Sequence, residues 1–85
     1  MELYKVMFST GKRTYSRIFN GLEAAKAAYM QLRDEAALDN TDCAIEVWPM
    51  RFDGAELVPD GSLILLFRNS PKDGYRKEKN CINED

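Results

Sequence analysis

The stretch SLILLFRNS, Ser62 to Ser70, decides how this chain folds. Leu63 to Phe67 form a run of five apolar residues. Successive side chains of a strand point to opposite faces, so such a run places apolar groups on both sides of a sheet. A strand that faces water on one side alternates instead. The run therefore reads as a central strand, and it is far too short to cross a bilayer. Leu63, Leu65 and Phe67 form one set, and Ile64 and Leu66 the other. One set should meet whatever packs on the sheet, and the other needs a second cover.

Upstream of the run, PDGS (59–62) is a turn, with Pro preset for the bend and Gly free to take positive φ. AELV (55–58) reads as a brief strand behind the Asp53-Gly54 turn pair. CAIEVW (43–48) alternates, with Ile45 and Val47 on one side and Glu46 and Trp48 on the other. Pro49 cannot donate a ladder hydrogen bond, so this strand is expected to lie at an edge, to bulge, or to end there. Downstream, NSPKDGYRKEKNCINED is polar and charged, and reads as a mobile tail over 70–85.

At the other end of the chain, ELYKVMFS (2–9) and TYSRIF (14–19) are strands joined by TGKR, the signature of a hairpin. NGLEAAKAAYMQLRDEAALDN (20–40) is helical over about 21–38. Leu22, Ala25, Tyr29, Leu32 and Ala36 repeat at spacings of three and four and form one apolar stripe. Asn20 with Glu23 has the spacing of a capping box. The elements add up to one compact domain over 1–69. Its class is α+β: a single helix on one face of a mainly antiparallel sheet of four or five strands, in the order ββαββ(β). This order and size resemble the β-grasp arrangement, which implies a central last strand lying beside the first.

The chain has 85 residues, 45% hydrophobic and 31% charged, with a net charge of −2 and a pI near 5.1. That balance fits a folded protein and disfavours a dedicated nucleic-acid binder, which is usually basic. There is no histidine. A Ser-His-Asp or Cys-His arrangement is therefore excluded, and two cysteines cannot complete a four-ligand zinc site. TGKRT lacks the first glycine and the spacing of a phosphate loop. No cofactor and no catalytic residue is read from the sequence. Cys43 and Cys81 are too few for a disulfide framework and fit a reducing compartment. The start, MELYK, has no basic segment followed by an apolar run, so a cytoplasmic protein is expected.

Function is therefore sought on surfaces. With Tyr4, Val6, Phe8, Ile45 and Val47 turned to the helix, the reverse face carries Leu3, Lys5, Met7, Glu46 and Trp48. From the second strand, either Tyr15, Arg17 and Phe19 or Ile18 with two hydroxyl residues joins them. Aromatic, Met and Arg residues together match the composition of protein interfaces. The expected function is a non-enzymatic binding module, an inhibitor or adaptor docking on a larger protein through Lys5, Met7, Tyr15, Arg17 and Trp48. Small inhibitors from mobile elements, such as anti-CRISPR proteins, share this size and charge. A second copy of the chain, or the tail anchored by Tyr75, are alternative covers for the open face. The alternative function is weak nucleic-acid binding by Lys12, Arg13, Tyr15 and Arg17 on the basic hairpin.

Overall fold

A computed structural model describes residues 2–82. The elements are β1 (Leu3–Ser9), β2 (Thr14–Asn20), α1 (Leu22–Asp39), β3 (Cys43–Asp53), β4 (Glu56–Pro59), β5 (Leu65–Ser70), a 3-10 turn (Pro71–Asp73) and β6 (Tyr75–Asn80). All six strands join one antiparallel sheet in the order β2-β1-β3-β5-β6, with β4 paired to the far end of β3. The helix lies against β3, β1 and β2. The Cα envelope measures 42 × 33 × 18 Å, and its thinnest dimension is that of two layers.

The α+β class expected from the sequence is the observed one. The core lies between helix and sheet, and Ile45, Val47 and Phe67 are fully buried there. Val6, Ala25, Tyr29, Ala36, Cys43 and Leu65 surround them, with Tyr4, Phe8, Phe19 and Leu32 packed at the margin. Alanines at 25, 28 and 36 let the helix approach the sheet, while Tyr29 fills the space between them.

Several elements differ from the sequence expectation. β1 lies between β2 and β3, and the apolar run pairs with β3 rather than with β1, so the strand order is not that of a β-grasp sheet. Pro49 lies inside an eleven-residue strand. The Val47 and Pro49 carbonyls point to the same side, accepting from Ile64 N at 2.9 Å and Asp60 N at 2.8 Å. On that side β5 stops at Val47 and β4 starts at Met50. The missing Pro49 N–H falls in the gap between two partners, where no ladder bond is needed. β3 therefore switches partners at Pro49 instead of ending there.

The helix cap also moves. Asn20 completes β2, and Gly21 is the N-cap at φ 106° and ψ 145° with no side-chain cap bond. That region of backbone space is nearly glycine-only. Gly21 N–H donates to the Glu2 carbonyl at 2.8 Å, which ties the helix entry to the first strand. At the other end Asn40 closes the helix in the left-handed conformation, its N–H bonding to the Ala36 and Ala37 carbonyls.

The segment read as a charged tail contains β6, paired with β5 over Leu65↔Asn80 to Ser70↔Tyr75. It lies in the sheet plane rather than across the open face, and the last three residues fall outside the described ones. Its side chains alternate like those of any strand. Arg76 stacks over the Phe67 ring at 5.6 Å, and Glu78 bonds Arg33 of the helix. Charge composition concealed the strand, because an edge strand exposed on both faces needs no apolar residues.

Candidate functional site

The antiparallel register assigns each side chain to a face. On the face opposite the helix, Lys5 stands between Ile18 and Trp48, and Met7 between Ser16 and Glu46. Leu3 is opposite Met50. Glu46 is opposite Leu66, and Leu66 opposite Lys79; Arg68 stands between Ala44 and Lys77. Among the described residues, no α-helix lies on this face. Leu3, Lys5, Met7 and Trp48 are half-buried, and Met50 and Leu66 are buried among their neighbours on the same side. Trp48 Nε1 donates to Glu46 Oε1 at 2.8 Å, which holds the indole in one orientation on the sheet.

The apolar run divides as its position requires. Leu65 and Phe67 join the helix-side core, with Ile64 packed against it. Leu66 alone of the β5 residues in the run turns to the open face. The reverse set is therefore smaller than the sequence suggested, because the chain enters β5 only at Leu65.

Of the five residues expected to form the binding face, Lys5, Met7 and Trp48 come together on it, but Tyr15 and Arg17 do not. Their partners across the ladder are Phe8 and Val6, so both lie on the helix side with Phe19. The second-strand residues on the open face are Asn20, Ile18, Ser16 and Thr14. Alternation alone allowed either set. The choice is made by the hairpin turn, in which Thr10 N–H donates to the Arg13 carbonyl at 2.8 Å and so pairs Ser9 with Thr14. Thr10 Oγ1 accepts from Lys12 N and Arg13 N and stabilises that turn.

Tyr15, Arg17 and Phe19 instead wall a groove between β2 and α1, about 400 Å³ in volume, with Phe8 and Leu32 contributing apolar surface. Arg17 lies over the Phe19 ring at 5.1 Å, and Arg13 Nη1 donates to the Tyr15 hydroxyl at 3.0 Å. The four residues of the nucleic-acid reading are thus on one hairpin, yet two of its cations already engage its aromatics. Sequence reasoning missed Lys77 and Lys79 as open-face residues because β6 was read as a tail, and Arg68 because β5 was read only through its apolar run. Reading YRKEKN as a strand would have placed Lys77 and Lys79 on one face.

The face has an electrostatic sign. Lys5, Arg68, Lys77 and Lys79 stand against Glu46 alone, a balance of +3 on a chain of net −2. Elsewhere the polar groups serve structure. Asn69 is buried, and its Nδ2 donates to the Thr41 carbonyl at 2.8 Å and to Asn40 Oδ1 at 3.1 Å. Its Oδ1 accepts from Arg76 Nε at 3.3 Å. Arg33 holds the Glu78 carboxyl below its ordinary range through their hydrogen bond. Burial pushes the Cys43 thiol up, with Asp42 adding to the effect. Both cysteines are free, Cys43 buried and Cys81 exposed. Among the described residues, no cluster of three His, Cys, Asp or Glu side chains could hold a metal ion, and no helix is long and apolar enough to cross a membrane. No known protein family, curated protein or solved structure matches this chain.

Proposed function

We propose that this chain is a non-enzymatic binding module of the cytoplasm that docks the open face of its sheet on a larger protein, as an inhibitor or adaptor does. The observation that carries the reading is the pinned indole of Trp48, flanked by Lys5 and backed by Leu3, Met7 and Met50 on a sheet face with no helix over it. Interfaces concentrate their energy in a few aromatic, Arg and Met residues at a central, water-excluding patch. A tryptophan held by a side-chain bond loses little conformational freedom on binding, which favours that role. The surrounding Arg68, Lys77 and Lys79 supply the charged rim that steers encounter. A face-to-face pairing of two copies would oppose two surfaces of charge +3, which argues for a different partner.

Cross-linking capture from the source cell, quantified for the native chain and for Trp48→Ala, tests the reading. A partner retained by the native chain and by a Tyr15→Ser control, but lost with Trp48→Ala, supports it. Partners that ignore Trp48→Ala and Met7→Ser alike refute it.

A further inference from the structure

The edge strand β2 differs from the other free edge of the sheet. β6 carries consecutive charged residues, Arg76 to Lys79, the device by which natural edges resist further pairing. β4 is short and ends in Pro59. β2 is seven residues long with a single charge, Arg17, and that side chain is folded onto Phe19. The ladder with β1 alternates between bonded and unbonded pairs. The Gly21 N–H to Glu2 and Thr10 N–H to Arg13 bonds at its two ends fix the phase. In that phase the N–H and C=O groups of Thr14, Ser16, Ile18 and Asn20 point to the free edge. Beside this edge runs the groove between β2 and α1.

An unpaired strand edge next to an apolar groove is the arrangement in which an extended peptide adds to a sheet. The backbone edge sets the form of the occupant, and the groove receives every second side chain. Charge sets its chemistry. Residues 3–22 contain Lys5, Lys12, Arg13 and Arg17 and no acidic residue, and Glu35 of α1 is the one carboxylate that lines the groove, so the cations outnumber it. A second copy fits poorly: the β2–β2 register that joins all four outward residues sets Arg17 opposite Arg17, and β6 would bring Arg76, Lys77 and Lys79 to β2 with only Glu78 to offset them. We infer that β2 and the β2–α1 groove bind an extended acidic segment of another protein by strand addition, with apolar side chains at alternate positions entering the groove. This surface is separate from the Trp48 face and stands whether or not that face binds.

The test titrates isotope-labelled protein with a capped seven-residue peptide alternating Glu and Val, followed by amide shifts and exchange. The expected result is slowed exchange at Ser16 and Ile18, shifts at Tyr15, Phe19 and Leu32, and binding roughly tenfold tighter than that of the Lys/Val counterpart. N-methylation of the peptide at the residues facing β2 should abolish binding, as should Ser16→Pro, which removes an outward N–H and leaves the β1 ladder intact. No shifts with the Glu/Val peptide, shifts confined to the Trp48 face, or equal binding of the Lys/Val peptide would overturn the proposal. So would displacement of the peptide by a single-stranded oligonucleotide that binds the same hairpin more tightly.

Discussion

Asn69→Ala probes the one buried polar side chain among the described residues. Its amide joins three parts of the fold: β5, the helix-to-β3 loop through Asn40 and Thr41, and β6 through Arg76. The orientation of the amide is set by its partners, because the Thr41 carbonyl can only accept and Arg76 can only donate. Removing the side chain deletes three hydrogen bonds and leaves the Thr41 carbonyl without the amide donor. At a net of about 1 kcal/mol per bond, with a further cost for the orphaned acceptor, the loss is about 2–4 kcal/mol. A domain of this length is stable by roughly 4–13 kcal/mol, so the effect is a large fraction of the whole. It corresponds to a fall in Tm of about 10–25 °C. Urea melts followed by the fluorescence of Trp48, the single tryptophan, measure it directly. Asn69→Asp preserves volume and the acceptor toward Arg76 but loses the donor toward Thr41. A comparable loss in that variant locates the effect in the donor. A loss below about 0.5 kcal/mol for Asn69→Ala would refute the view that this amide clamps helix, loop and edge strand together.

Other outcomes follow from single features. Gly21→Ala should cost about 1–3 kcal/mol in the same melts, purely from its backbone conformation, since an added Cβ meets nothing within 4 Å; Asn20→Ala should cost far less. Deleting residues 75–85 should lower stability substantially and expose dye-binding apolar surface, because it uncovers one edge of β5; an unchanged melt would deny β6 its place in the sheet. Glu78→Gln should make the acid limb of the stability profile shallower. The depressed carboxyl contributes stability that is present above the ordinary glutamate range and is lost as pH falls from there through its lowered value. With side chains 31% and 43% exposed, the Arg33–Glu78 pair should contribute less than about 1 kcal/mol, and a pH profile identical to that of the native chain would discount it. In thiol titration Cys81 should react at once and Cys43 only on unfolding, its thiol being buried and raised; two equal fast phases would contradict the burial of Cys43.

The helix and the helix-side core were legible because each obeys one period. Ala25, Tyr29 and Ala36 follow the helical repeat, and Val6, Ile45 and Val47 follow the strand repeat. What stayed illegible depends on partners distant in the chain. Pro49 reads as a strand end until β4 and β5 are seen to leave a gap opposite it. Asn20 reads as a cap until the Glu2 carbonyl claims Gly21. Tyr75 to Asn80 read as a tail because their strand pairs on one edge only and faces water on both sides. The candidate site was half legible for the same reason. Lys5, Met7 and Trp48 follow from alternation within β1 and β3, whereas the side taken by Tyr15 and Arg17 depends on how the hairpin turn sets the register.

That register makes the two proposed surfaces separable by experiment. β2 contributes to both, and its alternation divides their side chains: Ile18 belongs to the open face, Tyr15, Arg17 and Phe19 to the groove, and Ser16 borders both. Ile18 and Tyr15 are both exposed, so replacing either by serine removes little buried area and should shift stability by about 0.5 kcal/mol or less. Ile18→Ser should weaken a partner held by the Trp48 face and leave the acidic peptide bound. Tyr15→Ser should do the reverse. If both substitutions weakened the same interaction equally, the partner would be wrapping the β2 edge, and the two surfaces would have to be treated as one continuous site.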